Sequence, residues 1–303
     1  MYDLIIIGSG PAGMTAAIYG ARAELDMIVI EKNFMSGGQV INTYEVDNYP
    51  AMPGISGIDL SMKMREHCDN LGVNFVTDEV TGVEDLGDKK LVKTVQGEYE
   101  AKAVLLASGA DHSRLGIPGE DTFGGRGVSY CATCDGAFFR NKTTAVIGGG
   151  NVAVEDAIYL ANLCEKVYVV HRRDELRADK VLQNKLLSLE NVEMVWNSNA
   201  VRIEGEKKAE HLIVKDKFTE AERTLDVDGV FVAVGIVPNA EPFNGLADQD
   251  KAGYFIAGED GATSTPGIFV AGDLRAKSLR QIITAAGDGA NAIHGIQQYL
   301  LQG

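Results

Sequence analysis

Two cysteines separated by two residues, Cys131-Ala132-Thr133-Cys134, are followed at once by Asp135-Gly136. At this spacing two sulfurs can close a disulfide, and the helix that the segment opens lowers the pKa of a thiol at its N-terminus. The same spacing can form half of a zinc site. A closed site needs two further ligands, however, and Cys68 and Cys164 each stand alone, as ordinary core cysteines do. The pair reads as a redox dithiol. Asp135 either complements the helix dipole or carries the proton that dithiol–disulfide exchange requires, and its place beside a thiol favours the second role.

A second kind of chemistry is written in glycines. Leu4–Ile7 reads as a buried strand, Gly8-Ser9-Gly10-Pro11-Ala12-Gly13 as a turn, and Met14–Arg22 as a helix; a second strand, Met27–Ile30, ends in Glu31. Gly8 permits the tight turn and Gly10 lets a pyrophosphate approach the backbone. Gly13 lets helix and strand pack closely, with the phosphate on the helix N-terminus. Glu31 is placed to accept hydrogen bonds from ribose hydroxyls.

One such turn is a weak signal, but here it recurs. Strand Thr143–Ile147 leads into Gly148-Gly149-Gly150-Asn151-Val152-Ala153, a helix runs through Leu163, and strand Val167–Val170 follows. Gly8 and Gly148, Gly10 and Gly150, Gly13 and Ala153, and Glu31 and His171 are all offset by 140 residues. Chance clusters do not hold register over a whole strand–helix–strand unit. The copies differ in charge: His171 replaces Glu31, and Arg172, Arg173 and Arg177 follow. An acid suits free ribose hydroxyls, whereas an arginine fork binds a 2′-phosphate. The second site therefore reads as selective for NADPH over NADH. A solvated basic cluster, partly neutralised by Asp174 and Glu175, is the alternative.

These residues need elements to hold them. Val104–Gly109 and Val230–Gly235 read as returning strands of the two units, and Asp85–Lys90 and Gly205–Lys208 as hairpin turns. With 303 residues the chain suits two domains. Glycine supplies 35 of them, about 12% against a usual ~7%, as expected where turns and close backbone approaches abound. The net charge of −15 argues against nucleic acid and anionic membrane as partners. No apolar run reaches the ~18 residues of a membrane span, and Met1–Ile7 lacks the basic start of a signal peptide. Four cysteines are too few for a disulfide scaffold, and a cytoplasmic setting is expected.

The ordered set Gly-Ser-Gly-Pro-Ala-Gly, Gly37-Gly38-Gln39, Asn48-Tyr49-Pro50, Cys-Ala-Thr-Cys-Asp-Gly, Gly-Gly-Gly, His-Arg-Arg, Ala271-Gly272-Asp273 and Arg280-Gln281 resembles the bacterial low-molecular-weight thioredoxin reductases over nearly the whole chain. The resemblance implies an α/β fold of two Rossmann-like dinucleotide-binding domains. An FAD domain would comprise residues 1–111 and 242–303, and an inserted NADPH domain, 112–241, would carry the cysteine pair. FAD would be held at Gly8, Gly10, Pro11, Gly13, Glu31, Gly38, Gln39, Asn48, Val80, Asp273, Arg280, Gln281 and Ile282. NADPH would be held at Gly148, Gly150, Asn151, Val152, His171, Arg172, Arg173 and Arg177. It further implies a homodimer, thioredoxin as protein substrate, Cys131 as the thiol attacking that partner, Cys134 as the one facing the flavin, and rotation of the inserted domain on hinges near 110–118 and 240–248.

There are departures. Asn151-Val152 stand where many members carry Asp-Ser, which bears on contacts to the nicotinamide side. Ala137 replaces an aromatic residue of some members, leaving Phe138 and Phe139 for docking. Acceptors of other kinds, a glutaredoxin-like protein or a peroxiredoxin system, fit the same chemistry. Ferredoxin–NADP-type flavin reductases fit less well, since they lack the cysteine pair, and a nucleotide sensor would show no turnover.

Overall fold

Leu4 to Ile7 is an unbroken apolar run, and alternate residues of such a run serve opposite faces of a sheet covered on both sides. The computed structural model describes residues 1–301 apart from Tyr44. In it the run lies within strand β1 (Tyr2–Ile7). Leu4 and Ile6 join a core with Met14, Ala16, Val29 and Ile293, whereas Ile5 and Ile7 join one with Ile28, Ile30, Val104 and Phe255. Then follow α1 (Pro11–Arg22), β2 (Met27–Glu31), α2 (Gly57–Asn70), β3 (Asn74–Thr77) and the antiparallel meander β4 (Val80–Asp85), β5 (Lys90–Thr94) and β6 (Glu98–Leu106). The hairpin expected at Asp85–Lys90 joins β4 to β5, and Lys90, fully buried, donates to Asp85 Oδ1 (2.6 Å) and Gly87 O (2.7 Å) to close it.

Beyond β7 (Ala110–His112) the chain builds a second unit. It comprises β8 (Val128–Ser129), α3 (Ala132–Asp135), β9 (Thr143–Ile147), α4 (Asn151–Ala161), β10 (Lys166–Val170), α5 (Lys180–Leu187), β11 (Val192–Val195), β12 (Ser198–Glu204), β13 (His211–Asp216), β14 (Glu222–Asp226) and β15 (Gly229–Val232). Its main sheet has the parallel order β11-β10-β9-β15-β8, beside a separate antiparallel sheet β12-β13-β14. The chain returns through β16 (Ile236–Pro238) and ends with β17 (Ile268–Val270) and α6 (Ile282–Leu300). The first unit is Met1–Asp111 with the chain from Val237 on, and the second is His112–Ile236. The sequence places the return at 241/242. The earlier crossing has a packing reason, because Ala240 and Phe243 are buried in the core that holds Ile5 and Ile7.

In the first unit β1 has β2 on one side and β6 on the other, both parallel to it, and β17 extends the parallel set beyond β6. In the second, β9 lies in the same way between β10 and β15. Each sheet thus reverses its winding at the strand that feeds a glycine turn, the position where open α/β sheets leave a ligand crevice. The returning strands end at Leu106 and Val232, ahead of Gly109 and Gly235, which take positive φ of 72° and 137° in the turns beyond. Among the described residues no helix is long and apolar enough to cross a membrane.

Helix α6 packs on α1 with no room to spare. A Cβ on Gly289 would fall on Ala12 O and lie 3.1 Å from Ala16 N, whereas one on Gly287 would meet nothing within 4 Å. Gly289→Ala is therefore expected to destabilise the protein by about 1–3 kcal/mol through overpacking. Gly287→Ala in the same helix should leave stability unchanged or raise it by up to about 1 kcal/mol. Thermal unfolding of the two variants separates them, and equal melting temperatures would contradict the packing.

Candidate active site

Both glycine turns hand their strand to a helix whose first N–H groups no side chain caps. Gly10 precedes α1 and Gly150 precedes α4, each in extended conformation and neither helix with a side-chain cap. Pro11, first in α1, has no N–H to satisfy. A Cβ on Gly10 or on Gly150 would meet nothing within 4 Å, so open space faces both helix ends. Partial positive charge and free donors there suit a phosphate.

Around the first turn, separate segments converge. Gly37 N donates to Ser9 O (2.9 Å), and a Cβ on Gly38 would come within 3.4 Å of Gly10 Cα. Gln39 donates through Nε2 to Asp111 Oδ1. A Cβ on Gly272 would lie 2.8 Å from that of Ala12, which sets the Asp273 turn against the start of α1. Asp273 Oδ1 is buried and accepts no hydrogen bond, although Lys277 Nζ lies 3.4 Å away. Burial holds this carboxyl above the usual carboxylate range against the opposing pull of Lys277 and Arg280. A buried acceptor with no closer partner than this ion pair has room for a hydroxyl-bearing ligand.

Arg280 donates to Asp273 O (3.4 Å) and lies over the Tyr254 ring, 3.9 Å from its centroid. Gln281 caps α6, ahead of Ile282, in a reciprocal box with Thr284, and its Oε1 accepts from Asn48 Nδ2 (2.9 Å). Val80 begins β4 and packs with Ile7 and Ile30. Glu31 ends β2 with both oxygens engaged. Oε2 accepts from Ser9 N and Oγ (both 2.8 Å), and Oε1 from Asn33 N (2.9 Å) and Nδ2 (3.0 Å). Ser9 and Asn33, which the spacing did not single out, thus aim the carboxylate.

In the second unit His171 stands where Glu31 stands in the first, but its side chain turns inward. The ring is 5% exposed, lies where a Cβ on Gly149 would sit, and bonds through Nε2 to Glu175 O (3.0 Å). Burial, with Arg177, Arg173 and Arg172 adding to it, lowers its pKa despite the Glu175 bond, so the ring is a neutral support at pH 7. Arg172, Arg173 and Arg177 are exposed, and among the described residues their guanidinium groups make no hydrogen bond or ion pair. Three unneutralised guanidinium groups next to a phosphate turn suit a second phosphate. Asn151 and Val152 open α4, with Val152 half exposed.

Cys131 and Cys134 are joined in a disulfide, Cα to Cα 5.3 Å, with Cys131 as N-cap of the single turn α3. Among the described residues no cluster of metal-ligating side chains occurs. Ser129, which sequence spacing does not reveal, organises the pair's surroundings. Its buried hydroxyl donates to Asp135 Oδ2 (2.6 Å) and accepts from Cys131 N (3.1 Å). Burial holds the Asp135 carboxyl above the usual range, and the Ser129 bond pulls it part of the way back. Cys68 and Cys164 are buried, and burial pushes the Cys68 thiol up to about 12. One expectation needs correcting. Phe138 is exposed, but Phe139 packs edge-on against Phe231 in the core, so it offers no docking surface. A ring reaching over Gly229 is the cause, since a Cβ there would collide with it.

Two dinucleotide-type turns and a disulfide on one chain define an oxidoreductase that couples a nucleotide to dithiol chemistry. Residues 2–289 match the family described as pyridine nucleotide-disulphide oxidoreductase, and the chain belongs to it. It is similar to the thioredoxin reductase of Bacillus subtilis (strain 168), 45% identical over 99% of this chain and 95% of that one. It is also similar to that of Listeria monocytogenes serovar 1/2a, 46% identical over 99% and 94%. Among solved structures, thioredoxin reductase from Streptococcus pyogenes MGAS5005 superposes with a TM-score of 0.96 at 45% identity, covering 100% of this chain and 99% of that one. The family uses FAD and NADPH.

Because the Ser129 bond favours the charged form of Asp135, Ser129→Ala should move its titration further upward. Carboxyl-selective NMR of the oxidised protein reads this midpoint. A midpoint that stays put or falls would show that Ser129 does not control the carboxylate.

Proposed function

We propose that this chain is an NADPH-dependent thioredoxin reductase, in which the first unit holds FAD and the second holds NADPH. The reading rests above all on the Cys131–Cys134 disulfide, which opens a helical turn in the same unit as an uncapped glycine turn. The buried Asp273 Oδ1, which accepts no close hydrogen bond, and the open space before α1 support FAD in the first unit, with Gly38, Gln39, Asn48, Arg280, Gln281 and Ile282 framing it. The exposed guanidinium groups of Arg172, Arg173 and Arg177 support a 2′-phosphate in the second.

When bound, FAD supplies the conversion of a hydride from NADPH into an electron pair that opens the disulfide. The chain's residues then act in sequence. The Cys131 thiolate attacks the disulfide of thioredoxin and forms a mixed disulfide, and the departing thioredoxin thiolate takes a proton from Asp135, whose burial favours the protonated carboxyl. Cys134 gives its proton to the Asp135 carboxylate and attacks Cys131 Sγ as a thiolate, which closes the pair again; the second thioredoxin sulfur leaves as a thiolate and takes a proton from solvent. A homodimer working in the cytoplasm belongs to the same reading.

Single variants Cys131→Ser and Cys134→Ser test it. Each should keep bound FAD and its bleaching by NADPH, while thioredoxin reduction falls to background. A panel of thioredoxin and glutaredoxin-like acceptors read by NADPH consumption identifies the partner. Thioredoxin reduction at the wild-type rate in either variant would sink the assignment of the pair.

A further inference from the structure

The nine residues from His171 to Asp179 carry the three exposed arginines, yet the segment is not a free loop. At its start the His171 ring lies against Gly149, and at Arg177 the backbone N–H donates to Gly149 O (2.7 Å). At its end Asp179, the residue capping α5, meets Asn151, the first residue of α4, in a reciprocal pair. Asp179 N donates to Asn151 Oδ1 (2.8 Å), and Asn151 Nδ2 donates to Asp179 Oδ2 (2.9 Å). A side-chain amide can do both at once, because it carries an acceptor and a donor on the same short stem. A carboxylate at 151 only accepts, and so cannot reproduce the bond to Asp179 Oδ2.

Gly149 and Asn151 belong to the turn that faces the pyrophosphate, and Arg172, Arg173 and Arg177 belong to the segment fastened to it. A dinucleotide with a 2′-phosphate presents two anionic groups at a fixed separation. Meeting both without reorganisation requires the turn and the arginines to move as one piece. We propose that the Asn151–Asp179 clasp is a specificity device for this purpose: a positioning pair that holds the arginine segment in register with the glycine turn, and so makes the second site selective for 2′-phosphorylated nucleotides. The inference deepens the reading of that site as NADPH-selective and rests on it. Asn151, the departure noted in the sequence, thereby acquires a role that acts through the arginines.

Reversing the polarity of the pair tests this. In Asn151→Asp a carboxylate oxygen replaces Nδ2 opposite Asp179 Oδ2, so one bond of the clasp becomes a like-charge contact. In the double variant Asn151→Asp/Asp179→Asn the amide lies on the other side: the backbone N–H of residue 179 still donates to the side chain at 151, and the side-chain bond can re-form with donor and acceptor exchanged. Both variants carry the same acid at the phosphate turn, and they differ by the one charge at position 179.

Calorimetric titration of the FAD-loaded proteins with 2′,5′-ADP and with 5′-AMP gives the ratio of the two affinities. Melting temperature and flavin absorbance verify that each variant is folded and loaded. The wild type should favour 2′,5′-ADP at least about tenfold. Asn151→Asp should lose roughly tenfold of that preference, and the double variant should regain it to within about threefold. A wild-type ratio retained in Asn151→Asp, or one not recovered in the double variant, would overturn the clasp and leave NADPH selectivity standing. A wild type that bound the two nucleotides equally would overturn both.

Discussion

In each unit the ends of two adjacent strands approach more closely than a side chain permits. A Cβ on Gly8 would collide with Ala107 O, just beyond β6, and one on Gly148 would collide with Ala233 O, just beyond β15. Both glycines have positive φ, 102° and 157°. The same contact is therefore made twice, against the strand that returns beside the first. It turns the helix end outward over the crevice and leaves its N–H groups uncapped. The third position shows how far the repeat goes. A Cβ on Gly13 would fall on Gly8 O, whereas the second turn accommodates Ala153 at the matching place.

Given two such helix ends, selectivity comes from what stands at the end of the next strand. Glu31 is held by four donors from Ser9 and Asn33, which fixes an acid beside the first turn. In the second unit the equivalent place is filled by a neutral, buried His171, and the charge is displaced outward onto three arginines. One scaffold thus presents a negative and a positive edge to the same kind of ligand. The difference lies in side chains, with the strand order around each turn preserved.

Much of this was legible in the sequence because it rests on local spacing. The glycine turns, their offset, the arginine run, the cysteine pair and strand Thr143–Ile147 all follow from neighbours along the chain. Other features depend on contacts between distant segments and left no local signal. Ser129 matters because a strand end lies beside a helical turn, and the Asn151–Asp179 pair joins the starts of two helices. Phe139 differs from Phe138 only in the face it turns to the core, and the return to the first unit is set by where Ala240 and Phe243 find apolar neighbours.

The proposed function requires that the disulfide and the flavin belong to one electron path. Anaerobic titration of the oxidised, FAD-loaded protein with dithionite measures this directly, with flavin absorbance and free thiols followed together. Uptake of about two two-electron equivalents per chain is expected, one by the flavin and one by the Cys131–Cys134 pair, with two thiols appearing as the disulfide opens. Full bleaching after about one equivalent, with the disulfide still intact, would contradict it.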